Sequence, residues 1–315
     1  MIEKTELRKI LCDELIELAK EDDRIVVLDA DLCSSSGTGP FYAAFPERAF
    51  NVGIAEANMI GVAAGLAASG KIPFCNSFAA FAARRTYDQF TVSVAYSRLP
   101  VKVVGSDPGI CAEINGGTHM AFEDMGIMRG LADVVCFEPT DGYMLKKAVR
   151  EIALNNKPVY VRLFRKIPQL TIFDDSLDFK LGKAIEIRDG KDITLFASGI
   201  MVQRALEAAD ILDKEGIKAK VVNIHTWQPI DAETIVKAAK ETGAAVVCEN
   251  HSVHNGLCSA VSEVLVQNNP IPCEFIAIKE RFGEVGKLPY LSEVFKLRTE
   301  DIVDAAKAAL KRKQA

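Results

Sequence analysis

The feature that most restricts the fold is a repeated alternation. Short apolar runs ("RIVVLDADL", "KIPFCNSF", "VKVVGSD", "ADVVCFEP", "KPVYVRLF") are separated by segments whose apolar residues recur at helical spacing, such as "ELRKILCDELIELAKE" and "IAEANMIGVAAGLAASG". The runs are apolar throughout rather than on alternate residues, as in strands covered on both faces. The pattern therefore predicts an α/β fold with a doubly wound, mostly parallel sheet. Ligands of such sheets sit beyond the carboxyl ends of the strands. The polar loops "DADLCSSS", "NSFAAF" and "SDPGICAEINGGTH" all fall there. The spacing predicts one long helix from about Ala79 to Ser97, while "CSSSGTGP" reads as a loop because of its Gly and Ser content.

After Arg165 the period lapses through "KIPQLTIFDDSLDFKLGK". The chain divides into a first domain over 1–168, a linker over 169–182 and a second, smaller doubly wound α/β domain over 183–315. The second opens with a hairpin-like pair of strands around Asp189-Gly190.

Composition narrows the classes. The 315 residues carry a net charge of −5 and no basic stripe beyond the terminal "KRK", which argues against a nucleic-acid partner. No apolar run approaches the ~20 residues a membrane-spanning helix needs, so no membrane association is expected. The eight cysteines form no C-x-x-C pair and several lie in apolar runs. They read as reduced thiols of a cytoplasmic protein, with no metal site.

Three groups stand out as chemistry. Glu56 is the only charged residue between Arg48 and Lys71, at the head of a Gly- and Ala-rich helix that packs closely. A carboxyl buried there has a perturbed environment of the kind found at functional sites. Phe78 and Phe81, three apart after a strand, share a face suited to core packing or to gripping a flat ring. His119 ends "INGGTH" in a post-strand loop, the usual place for a ligand contact. His251 and His254, in "CENHSVHNG", read as hydrogen-bonded residues of a loop leading into a helix.

Taken together, "VGIAEANMIGVAAGLAASGKIPFCNSFAAFAARRTYDQF", "GGTH" and "VYVRLFRKIPQL" resemble the pyrimidine-binding domain of transketolases, and the second domain is similar to their C-terminal domain. The resemblance spans essentially the whole chain, in the order of the C-terminal section of a transketolase. It implies a glycolaldehyde-transferring enzyme using thiamine diphosphate. Glu56 would hydrogen-bond N1′ of the aminopyrimidine, so that the 4′ nitrogen can take the proton from thiazolium C2. Phe81 would stack on the ring with Phe78 beside it, and Asp31 matches an acid near the cofactor. His119 matches a histidine at the donor hydroxyls. Arg8, Ser35 and Arg165 match positions that hold the sugar phosphate.

Two positions depart from the family. Asp107 stands at a phosphate-binding histidine, and Asn115 at an acid before G-x-T-H, the family's "G-E-D" reading "EIN" here. They point away from xylulose 5-phosphate, the pentose phosphate donor, toward a branched ketose such as apulose 4-phosphate or another anionic ketose such as a sulfosugar. No "GDG" occurs, so the diphosphate and its Mg²⁺ or other divalent ion are expected on a partner, an N-terminal transketolase subunit, in an α2β2 heterotetramer. The β subunit of a 2-oxoacid dehydrogenase, a deoxyxylulose-phosphate-synthase-like subunit and a non-catalytic binding module are the alternatives.

Overall fold

The computed structural model describes residues 2–314 except Ile167 and Gln169; the "KIPQL" stretch therefore lies partly outside the described residues. Among the described residues, twelve strands form two sheets. In chain order they are β1 (Ile25–Asp29), β2 (Ala49–Asn51), β3 (Ile72–Phe78), β4 (Lys102–Ser106), β5 (Val135–Phe137) and β6 (Val159–Leu163), then β7 (Ile185–Arg188), β8 (Ile193–Ala197), β9 (Ala219–Asn223), β10 (Thr226–Gln228), β11 (Ala245–Ser252) and β12 (Cys273–Ile278). The first sheet has the order β10-β5-β6-β4-β3-β1-β2 and the second β12-β11-β8-β9-β7.

Within the first sheet every pairing is parallel except β10 with β5. β1, β4, β5 and β6 are buried along their whole length, which is why they read as unbroken apolar runs. The chain moves outward from β1 to β2, then returns to β3 on the other side of β1. This reversal opens a crevice at the carboxyl edge. The helix Glu56–Ala68 covers the sheet here, burying Met59, Ile60, Ala63, Ala64 and Ala67.

The structure corrects four details. The strands flanking Asp189-Gly190 do not pair with each other. β9 lies between them, antiparallel to β7 and parallel to β8. The turn crosses the start of β9 so closely that a Cβ on Gly190 would collide with the backbone of Ala219 and Lys220. "CSSSGTGP" is not loop throughout: Cys33–Ser36 forms a helical turn and Gly39–Ala44 a short helix with Pro40 in its first turn. The long helix is broken. Ala79–Arg84 is α-helical, Tyr87–Gln89 a single turn and Phe90–Tyr96 a π-helix. At the break the Thr86 hydroxyl bonds back to the Ala82 carbonyl, a contact that bends helices. Finally, β11 runs on through Asn250 and His251, so both are buried strand residues.

A buried ionic network joins the two halves. Arg162, on β6 and fully enclosed, donates from Nε to both oxygens of Asp124 (3.1 and 3.0 Å), from Nη1 to Glu138 (2.8 Å) and from Nη2 to the Asn250 carbonyl (2.8 Å). Tyr160 donates to Asp124 at 2.9 Å, and Ser198 to Glu138 at 2.7 Å. Trp227 Nε1 donates to Ser198 at 2.9 Å. One guanidinium thus bridges two carboxylates and reaches residues of both sheets. The segment expected as a linker is docked: Asp141 Oδ2 accepts from the Ile172 and Phe173 N–H groups, each at 2.8 Å.

Candidate active site

Most of the sequence-predicted residues come together along the carboxyl edge of the first sheet. Glu56 heads its helix after β2 and is 4% exposed. Its Oε1 accepts from Arg85 Nη1 at 2.7 Å. The Arg85 guanidinium also lies over the Phe81 ring, 4.0 Å from its centroid. Phe78, the last residue of β3 rather than a helical one, meets Phe81 edge-on at 6.0 Å between centroids. His119 completes the cluster, its ring 5.1 Å from Phe81 and 5.9 Å from Phe78. Its Nδ1 is 3.0 Å from the Thr118 hydroxyl.

A second group adjoins it through Phe78, whose centroid is 5.0 Å from the Arg165 guanidinium. Arg165 donates from Nε to Asp107 at 2.6 Å and from Nη1 to the Ser35 carbonyl at 3.0 Å. Arg8 reaches the same carbonyl at 2.9 Å and grips Glu6 with Nε and Nη2, at 3.0–3.2 Å. The part of Ser35 that the arginines touch is thus its carbonyl. Asp107 is 2% exposed. Burial pushes its carboxyl above the usual range, against the pull of Arg165. Its Oδ1 is buried without a hydrogen-bond partner among the described residues.

Asp31 and Asn115 stand apart. Asp31 is exposed beyond β1 and is linked to Asn51, its N–H donating to Asn51 Oδ1 at 3.0 Å and its Oδ1 accepting from Asn51 Nδ2 at 3.2 Å. Asn115 is exposed on the loop that leads to His119. In the second half, His251 Nε2 accepts from the Gly126 N–H at 3.1 Å, a structural bond, while His254 lies at the surface 3.7 Å from Glu280.

Sequence reading missed three members. Arg85 had a signal: it follows Phe81 by four in the alanine-rich "FAARR", which places it on the Phe81 face. Glu6 lies only two residues before Arg8, its partner at the start of the first helix, whereas Glu113 had no signal, because its partners Lys166 and Leu288 are distant in sequence.

Residues 3–169 match the family model "Transketolase, pyrimidine binding domain" and residues 182–302 "Transketolase, C-terminal domain". The chain belongs to the transketolase family. The 6-deoxy-6-sulfo-D-fructose transketolase subunit SqwH of Clostridium sp. (strain MSTE9) is 50% identical over 99% of this chain and 97% of its own. An apulose-4-phosphate transketolase subunit from Phocaeicola vulgatus is 36% identical over 87% of each. A solved structure described as a split gene transketolase, inactive beta4 tetramer, superposes with a TM-score of 0.89 at 41% identity, covering 98% of this chain and 99% of that one.

Proposed function

We propose that this chain supplies the aminopyrimidine half of a thiamine diphosphate site in a split transketolase, and that its donor is a ketose ending in a sulfonate. The enzyme moves a two-carbon ketol unit from that ketose to an aldose phosphate. Arg85 is the observation that carries the cofactor half. A flat, hydrogen-bonding cation lies on Phe81 while its edge bonds Glu56, so the slot fits a flat ring with a nitrogen at its edge. When bound, thiamine diphosphate supplies the carbanion-stabilising chemistry of ketol transfer.

In this reading the Glu56 carboxyl holds the pyrimidine nitrogen in a dry pocket and Phe81 covers one face of the ring. Phe78 backs Phe81, Asp31 stands at the rim, and Arg85 withdraws as the ring enters. His119, beside both phenylalanines, orients the donor's hydroxyls, with Asn115 on the same loop. The diphosphate and a divalent ion are assigned to an N-terminal partner in an α2β2 assembly. The buried free cysteines fit a reducing cytoplasm. Purified alone, the chain should show no ketol transfer. Adding the partner with thiamine diphosphate and Mg²⁺ should restore it, and turnover by the chain alone would refute the partner assignment.

Charge balance argues for the sulfonate. Arg165 is already paired with Asp107, and Arg8 with Glu6. A phosphate monoester brings about −1.5 to −2 charges at neutral pH, which arginines so compensated hold more weakly than a single charge. A sulfonate brings one, and the unpartnered Asp107 Oδ1 remains as an acceptor for a sugar hydroxyl. The substrate in the name of the SqwH relative points the same way. In the assembled complex, kcat/KM should favour a 6-sulfonated ketose over xylulose 5-phosphate. Asp107→His, tolerated at φ 51°, should shift the ratio toward the phosphate by about tenfold, the worth of one charge-assisted hydrogen bond. A wild type that prefers xylulose 5-phosphate, and is indifferent to this change, would sink the donor assignment.

A further inference from the structure

The loop leading to His119 is closed on itself by the Gly109 N–H, which donates to the Ala121 carbonyl at 2.9 Å. Within it Glu113 has φ 49° and ψ −120°, a backbone conformation that disfavours a residue bearing a Cβ and is natural for glycine. Such strain persists only where surrounding contacts hold it, and it concentrates at functional sites. Two contacts of the Glu113 carboxylate do so. Oε1 accepts from the Leu288 N–H at 2.9 Å, and Oε2 pairs with Lys166. Partial burial opposes ionisation of this carboxyl, yet Lys166 and the Leu288 N–H together hold it below the usual carboxylate range.

The partners of Glu113 come from distant parts of the chain. Lys166 adjoins Arg165, which pairs with Asp107 at the start of the same loop. Two acid–base pairs, Asp107 with Arg165 and Glu113 with Lys166, therefore lace the donor loop to the segment after β6. Leu288 belongs to the second domain, which clamps the loop elsewhere as well. Asn250 Oδ1 accepts from the Ile110 N–H at 3.0 Å, and its Nδ2 donates to the Pro108 carbonyl at 3.1 Å. Gly117 lies so close to Gly283 that a Cβ would collide with the Gly283 carbonyl.

We infer that Glu113 is a positioning residue for the donor: it draws the loop bearing Asn115 and His119 toward Arg165 and anchors it to the second domain through Leu288. This gives the second domain a part in donor binding, although none of the candidate site residues lies in it. The inference rests on the transketolase reading of the site.

Glu113→Gly, compared with Glu113→Gln and wild type in the assembled complex, tests it. Glycine relaxes the backbone and removes both contacts. Glutamine keeps the acceptor for Leu288 and loses the ion pair. For Glu113→Gly, amide exchange over 113–119 should quicken and the donor KM should rise about tenfold. The kcat should stay within about twofold, the pattern of a contact made equally in ground and transition states. C2-proton exchange of bound thiamine diphosphate should be unchanged, and Glu113→Gln should fall between. An unaltered donor KM or loop exchange overturns the inference. So does a loss of kcat and C2 exchange in parallel with thermal stability, which would mark a structural brace only. A wild-type complex without C2 exchange would instead refute the cofactor reading, and the loop exchange would still decide whether Glu113 orders the loop.

Discussion

Glu56→Gln should slow C2-proton exchange of thiamine diphosphate in the assembled complex by about 10²–10⁴-fold, the usual contribution of a positioned acid or base. Glutamine has nearly the same shape, and the apolar helix behind Glu56 packs without its charge. The far-UV spectrum and assembly with the partner should therefore be retained. Phe81→Ala makes a useful contrast. It removes the stacking surface, so cofactor affinity should fall more than the exchange rate of the cofactor that does bind. An exchange rate in Glu56→Gln equal to wild type would reduce Glu56 to a buried acid that pairs with Arg85.

Arg162→Met should cost the purified chain on the order of 3–5 kcal/mol, because it leaves two buried carboxylates facing each other without their shared cation. Asp124 is fully enclosed and Glu138 nearly so, and neither can turn toward water. The urea midpoint reports the loss. The triple change Arg162→Met, Asp124→Asn, Glu138→Gln should recover much of it, since each remaining group is neutral and retains partners for hydrogen bonding. The network also reaches Asn250, which clamps the loop leading to His119. Arg162→Met should therefore loosen that loop even under conditions where the chain remains folded. A midpoint within experimental error of wild type would show that the carboxylates are neutral or solvated.

By itself the sequence determined the fold class and the grouping of one cluster of side chains. Unbroken apolar strands between amphipathic helices admit few arrangements other than covered parallel sheets. The carboxyl edge of such a sheet collects whatever follows each strand, so Glu56, Phe78, Phe81 and His119 were legible as neighbours. A lone carboxylate in an alanine-rich helix and an aromatic pair are local signals, readable from a few adjacent residues. Only the tertiary structure decided what depends on contacts distant in sequence. β9 inserts between β7 and β8 because pairing on both of its edges satisfies more backbone groups than a two-strand hairpin. Asp107 and Arg165 are 58 residues apart, Glu113 and Leu288 175. No sequence period announces that the arginines expected to meet an anion already have carboxylate partners, or that a strained glutamate ties the loop leading to His119 to the second domain. Those facts follow from where loops are brought by the packing of two sheets.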